Sequence, residues 1–498
     1  MSAFDQLLGG FIVALSWKNL GLCLLGCVWG TAVGVLPGLG PMAGMALLLP
    51  VTFSLDPSGG VIMLAGIFYG AMYGGSTTSI LLRIPGEAAS IVTCIDGYEM
   101  ARKGRAGAAL SIAALGSFVG GTLSIVGLML FAPYLADIML SVGPAAEAVM
   151  MAVALLIVTA VSTSAPRKTF TMICLGLLVG TVGLDSITAD QRFMFDNMAL
   201  AEGLSFVALA IGLFGLSELL LSASDKVLER PAVPRMRDLI PSASEARQAI
   251  GPALRGSGIG FVFGVIPGVS HIVSTFVSYA VEKQISKHPE EFGKGAVAGL
   301  AGPETANNAT TGSAMIPLLI LGIPAIPSTA ILLSALQNHG VQPGPLLLTQ
   351  NPEVFWGLIA SMYIGNIILV ALNLPLVGIF VRLLQTPMYY LTPIVLFICF
   401  VGVYSVNGSG FDLAVLTAAG AVGYLLRKFE FDVAPALLAL VLGDRMEAGF
   451  RRALTISKGD YAIFWHGPAV KIFWLLLLIA VIARVLAVRK GKVALQQN

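Results

Sequence analysis

Several groups of residues in this chain have types and spacings suited to holding a charged solute. The first is a proline-glycine break inside an apolar run, GVLPGLGP at residues 34–41, with a near copy, GVIPGV, at residues 264–269. Helix interiors disfavour both residue types, so each copy ends one half-helix and starts another, for which proline suits the first position. The new N-terminus carries free N–H groups and the positive end of the helix dipole, and it favours an anion. Gly38, Leu39, Gly40 and Pro41 form the first tip, and Gly268, Val269, Ser270 and His271 the second. Glycine there lets backbone approach a ligand closely. A kink with packing glycines is the alternative for one copy alone.

The next groups are polar side chains in apolar surroundings. Ser76, Thr77 and Thr78 suit hydrogen bonds to a carboxylate or oxygen ligation of a cation; helix–helix packing is their other use. Asn307, Asn308, Thr310 and Thr311 form a second cluster, and adjacent amides are costly in an apolar segment unless bonded. Glu304 precedes them. An acid at membrane depth reads as a proton or sodium site, an interfacial position or a helix cap being the alternatives. Arg83, in SILLRIPGE, suits a bidentate grip on a carboxylate. It can instead pair with Glu87 or snorkel to the surface. His271 stands where the first tip has Pro41; a ligand contact, a titrating site and a satisfied structural histidine all fit. Tyr69 and Tyr73 share a face and read as packing.

The elements that hold these groups follow from composition. Of the 498 residues 56 % are hydrophobic and 11 % charged, against roughly 25 % charged in soluble chains. Apolar runs such as 148–164 and 472–488 approach the ~20 residues that cross a bilayer, and they are continuous rather than alternating, which argues against a β-barrel. The expected class is an all-α polytopic membrane protein of about 10–12 hydrophobic helical segments. Residues 1–17 lack a basic n-region and read as an interfacial helix.

The polar stretch 222–256 bisects the chain. Each half carries a Pro-Gly break, then a cluster with Thr-Thr, then an Ile-Pro turn, although Thr77 to Pro85 is shorter than Thr310 to Pro324. Lys and Arg mark cytoplasmic loops. They fill 98–107, 165–170 and the central stretch, and they are absent from 55–60 and 185–190. In the second half the loop after the break, 282–295, is basic, and 336–344 is not. The two Pro-Gly hairpins therefore enter from opposite faces, an inverted-topology repeat of the kind found in secondary transporters. The expected organisation is a first repeat over 1–221, a cytoplasmic linker over 222–256, a second repeat over 257–446 and a C-terminal segment over 447–498 with a last helix near 471–489. Crossings are expected near 108–133, 146–164, 169–184, 203–222, 353–380, 390–405 and 411–426, with a short segment at 432–444. The basic VRKGKV end places the C-terminus in the cytoplasm.

No phosphate-binding G-x-x-x-x-G-K-[ST] loop and no G-x-S-x-G elbow occur, and no His/Cys set has metal-ligand spacing. No enzyme and no cofactor is expected, sodium as a coupling ion apart, and net charge +2 gives no reason to expect nucleic acid. The five cysteines are scattered in or beside apolar segments and read as small packing residues. An anion channel and an intramembrane enzyme pairing Glu304 with His271 are the rival readings.

GVLPGLGPMAGMALLLP, YGAMYGGSTTSILLRIPGEAAS, DGYEMARKGRAG, EKQISKHPEEFGKG and PETANNATTGSAMIPLLILGIP together resemble the large membrane subunit of tripartite tricarboxylate transporters, the TctA family. The resemblance covers nearly the whole chain. It implies secondary uptake of a di- or tricarboxylate across the bacterial inner membrane, coupled to a sodium or proton gradient. It also implies two partners in the bilayer and beyond it: a small membrane subunit and a periplasmic solute-binding protein that delivers substrate.

Overall fold

A computed structural model describes residues 3–36, 39–140, 142–161, 165–185, 187–222, 236–266, 271–384 and 388–496. The described residues are all-α apart from a two-residue antiparallel pairing of 183–184 with 191–192. The first helices are α1 (Ala3–Ala14), α2 (Trp17–Val35), α3 (Gly40–Thr52), α4 (Pro57–Leu82) and α5 (Thr93–Met100). Next come α6 (Ala106–Leu140), α7 (Pro144–Val161), α8 (Pro166–Gly180), α9 (Phe206–Ala210) and α10 (Ser217–Ser222). The middle of the chain forms α11 (Ala243–Val265), α12 (His271–Ile285), α13 (Val297–Ser313) and α14 (Pro327–Asn338). The rest forms α15 (Leu347–Gln350), α16 (Pro352–Asn373), α17 (Val377–Leu384), α18 (Met388–Asn407), α19 (Gly410–Lys428), α20 (Ala434–Ile456) and α21 (Pro468–Gln496).

Among the described residues, four spans are long and apolar enough to cross a membrane by themselves: Trp17–Val35, Thr93–Leu140, Pro352–Asn373 and Gly410–Lys428. The outer helices carry exposed apolar stripes, such as Ile394, Phe397 and Val401 on α18 and Ile472, Leu475 and Ile479 on α21. Such stripes suit lipid rather than water. The segment expected as one crossing at 353–380 is two helices, α16 and α17, because Pro375 supplies no N–H at the turn between them. Helix α11 begins at Ala243, well inside the stretch expected as linker. Ser242 and Glu245 form a capping box there, which nucleates a helix despite the polar composition.

Two helices sit at the centre. Residues 59–80 of α4 are buried without interruption, as are Val297 and residues 299–313 of α13. Each is paired along its length with a parallel neighbour through glycines four apart. On α2, a Cβ at Gly26, Gly30 or Gly34 would lie 2.3, 2.3 or 2.2 Å from the carbonyl oxygen of Met63, Ile67 or Ala71. On α11, a Cβ at Gly256, Gly260 or Gly264 would lie 2.3, 2.2 or 2.6 Å from that of Gly302, Ala306 or Thr310. Small residues at this spacing let two backbones touch. In both pairs the third glycine stands three residues before the proline of the break, Pro37 or Pro267.

This register decides which residues correspond. Arg83 follows Ala71 by the same interval as Gly322 follows Thr310. Both end their helix in the left-handed region, at φ 59° and 67°, and both precede an Ile-Pro pair. Thr77 and Thr78 therefore do not correspond to Thr310 and Thr311, which explains their unequal distances to the Ile-Pro turns. The polar clusters lie at different levels of the two central helices.

Helix α6 packs against both central helices and against α11 and α16. A clasp joins the halves at one end. Asp96 of α5, fully buried, accepts N–H bonds from Gly293, Gly295 and Ala296 at 2.9, 2.7 and 2.8 Å and the Tyr279 hydroxyl at 3.0 Å. Asp96→Ala would strand three backbone donors, and about 3 kcal/mol or more of stability should be lost. Thermal unfolding in mild detergent measures it, with faster tryptic cleavage at Lys287 and Lys294. An unchanged midpoint would show that the loop needs no clasp.

Candidate functional site

A cavity of about 510 Å³ lies where the regions following the two breaks meet. Leu39, Gly40 and Pro41 line it from the start of α3, and His271 and Ile272 from the start of α12. Gly40 has φ +58°, a conformation that costs other residues energy. The turn at 85–89, the start of α14 at 326–328, and residues 427 and 431–434 complete the wall with Phe214 and Glu218. Gly38 and residues 268–270, expected at the tips, lie outside the described residues.

Helix ends dominate this wall. No side chain caps the N-terminus of α3, so its first N–H groups are available to a solute; at α14 Thr329 Oγ1 already accepts the Ile326 N–H at 3.2 Å and Pro327 has no N–H, which leaves that of Ser328. Two other N-termini are already occupied by carboxylates. Asp432 Oδ1 accepts from Ala434 N of α20 at 3.0 Å, and Glu87 Oε2 accepts from Ala89 N at 2.8 Å.

Behind the cavity lies a closed polar network on α4, α5, α6 and α13. Glu304 is fully buried. Its Oε1 accepts the hydroxyls of Ser76 and, at 3.1 Å, Ser117, and its Oε2 accepts that of Thr93 at 2.7 Å. Asn308 donates to Ser117 Oγ at 2.7 Å. Burial forces this pairing, because an unmet polar group in an apolar bundle is costly. Thr77 is buried on the same stretch of α4, and Thr78 donates to the Val35 carbonyl at 2.5 Å, pinning α4 to the end of α2. Thr310 Oγ1 lies 2.8 Å from Ser274 Oγ and 3.1 Å from the Gly260 carbonyl oxygen.

Two hydrogen bonds join α13, the helix that carries Glu304 and Asn308, to the cavity wall. Asn307 Nδ2 donates to Glu87 Oε1 at 3.0 Å, and His271 Nε2 lies 3.1 Å from Thr311 Oγ1. The Asn307 Oδ1 atom is buried and unpartnered. The expected residues thus divide: Leu39, Gly40, Pro41 and His271 line the cavity, while Ser76, Asn307, Asn308, Thr310 and Thr311 sit behind it with Glu304.

Arg83 belongs to neither group. It is exposed, with its guanidinium 5.7 Å from the Tyr98 ring centroid, because the left-handed turn at its own position swings the side chain outward. Arg83→Gly should keep the fold and leave transport intact. It should stabilise the protein by up to ~1 kcal/mol by relieving the positive φ. Loss of uptake in a folded Arg83→Gly protein would return this residue to the site.

The cation at the cavity is Arg427, which sequence reasoning missed, as it missed Glu218 and the start of α14. Arg427 Nη1 donates to Glu218 Oε2, and its guanidinium lies 5.6 Å from the Phe214 ring centroid. The available signal was an acid at 218 within an expected crossing and a base at the end of another.

A second cavity of about 310 Å³ lies at the C-terminal end of α14 and beside the middle of α20. Asp185, Arg192, Gln337, Asp444 and Arg445 line it. Ser328 and Ser334, on the two cavities, are separated by ~9 Å of helix at 1.5 Å per residue. Buried Ile331, Leu332, Leu333, Leu437 and Leu438 fill the wall between.

Comparison with known proteins agrees with a membrane carrier. A family model described as the tripartite tricarboxylate transporter TctA family matches residues 20–438. An Agrobacterium vitis protein described as an uncharacterized 52.8 kDa protein in the TAR-I ttuC' 3' region is 46 % identical over 468 residues, covering 94 % of this chain and 93 % of that protein. Another from the same organism, described as an uncharacterized protein in the TAR-II ttuC' 3' region, is 44 % identical over 234 residues, 47 % of this chain and 97 % of its own length. No solved structure matches.

Proposed function

Because this chain belongs to the tripartite tricarboxylate transporter TctA family, we propose that it takes up a di- or tricarboxylate across the bacterial inner membrane, driven by a sodium or proton gradient. The observation that carries this reading is the 510 Å³ cavity formed where residues of both halves meet, with the N-terminal ends of α3 and α14 turned into it. A solute with two or three separated carboxylates can engage both positive ends at once. Gly40, Pro41 and His271 contact it, Glu304 holds the coupling cation, and the bonds Asn307–Glu87 and Thr311–His271 link the two sites.

The two glycine-paired helix sets and the reversed Lys/Arg loop pattern support an inverted repeat with its site at the midplane. In that orientation the N-terminal ends of α14 and α20 face the cytoplasm and the 310 Å³ cavity faces outward. The packed wall between the cavities then serves as the barrier that alternates. The family also supplies a small membrane subunit and a periplasmic binding protein as partners, the latter presenting substrate at the outer cavity.

Proteoliposomes holding the chain with its co-purifying subunits test this. Labelled citrate or succinate should accumulate only under an imposed sodium or proton gradient and be recovered unchanged. Uptake that merely equilibrates without a gradient would indicate a channel, and recovery of altered solute an enzyme.

A further inference from the structure

Arg427 is the one Arg or Lys among the described residues lining the larger cavity. Its charge is matched by a carboxylate of the protein itself, Glu218. Of the other acids on the wall, Glu87 accepts from Ala89 N and Asn307, and Asp432 accepts from Ala434 N while also lying within electrostatic reach of Arg427, so Glu218 is the acid bonded directly to the guanidinium. Both members of the ion pair are largely withdrawn from solvent, their side chains 24 % and 13 % exposed, and Phe214 backs the guanidinium. A guanidinium in such a place presents a planar fork of donors that fits a carboxylate.

We infer that Arg427 is the carboxylate anchor of this cavity and that Glu218 stands in for the substrate when the cavity is empty. The inference rests on the cavity being the substrate site. A substrate carboxylate reaches the guanidinium by displacing Glu218, so the protein's own acid sets the affinity as a built-in competitor. Exchange of one carboxylate for another keeps the arginine paired throughout. Glu218 thereby favours release as well as selectivity, since a neutral solute cannot displace it.

The test titrates membranes containing the full chain and its co-purifying subunits with labelled citrate and succinate, with succinic diamide as the neutral control. Arg427→Gln should weaken binding of both acids by at least roughly tenfold, and Arg427→Lys by less. Glu218→Gln should tighten binding by roughly three- to tenfold, a direction that a merely structural ion pair would not produce. The double variant Arg427→Gln/Glu218→Gln removes both members of the pair together and should fold yet bind weakly, which separates recognition from stability. Wild-type binding with unchanged affinity in Arg427→Gln or in the folded double variant would overturn the inference alone. So would unchanged or weaker binding in Glu218→Gln. If the wild type binds neither acid, the substrate reading and the inference fall together.

Discussion

Gly264→Val should leave almost no folded protein. A Cβ at this position would lie 2.6 Å from the Thr310 carbonyl oxygen and 2.0 Å from Ser313 Oγ. The first obstacle is backbone of a buried helix and cannot swing aside. The two added methyl groups would drive α11 from α13 along the whole glycine-paired seam, against a fixed Arg255–Glu282 pair that ties α11 to α12. Overpacking costs about 1–3 kcal/mol and occasionally more, and a clash with fixed backbone belongs at the upper end, a large share of the ~5–15 kcal/mol that holds a typical domain. Gly258 is the control on the same helix: a Cβ there meets nothing within 4 Å. Gly258→Val should migrate as a monodisperse species in mild detergent, whereas Gly264→Val should aggregate. Equal monodispersity of both would show that the seam is looser than its geometry.

Glu304→Gln should remain folded and lose ion-driven uptake. Its carboxylate receives three hydroxyl donors, from Ser76, Thr93 and Ser117. Hydroxyl groups rotate, so they can re-pair with the amide of an isosteric glutamine. What disappears is the negative charge, which alone gives a proton or a sodium ion reason to stop at this depth. Gradient-dependent uptake should fall about a hundredfold, equivalent to ~2.7 kcal/mol, while substrate binding changes by less than roughly threefold, since Glu304 does not line the cavity. Uptake against the sodium and proton gradients in parallel, together with equilibrium substrate binding, measures both arms. Unaltered gradient dependence would remove Glu304 from coupling.

Composition and local pattern determined the all-α membrane class, the ends of α2 and α11 before the two Pro-Gly pairs, and the acid and amides of the polar network. These depend on single-residue solvation and on which backbone conformations glycine and proline allow. Such preferences act over a few neighbours and can be seen along the chain. The start of α11 was almost legible too, since Ser242 and Glu245 are a capping box, but the polar residues after it pointed to a linker.

Only the tertiary structure decided which charges meet. Arg83 and Arg427 each stand at the end of an apolar helix, and nothing nearby in the chain distinguishes them. One is turned outward by its own positive φ. The other is brought to Glu218 by the packing of α19 on α10. The Thr-Thr pairs look alike in sequence, yet the glycine contacts set a register in which they lie at different levels. Helix pairing is chosen by close approach between residues hundreds of positions apart, as where Ser76 reaches Glu304. That free energy exists only once the helices touch, so no local feature of the sequence can report it.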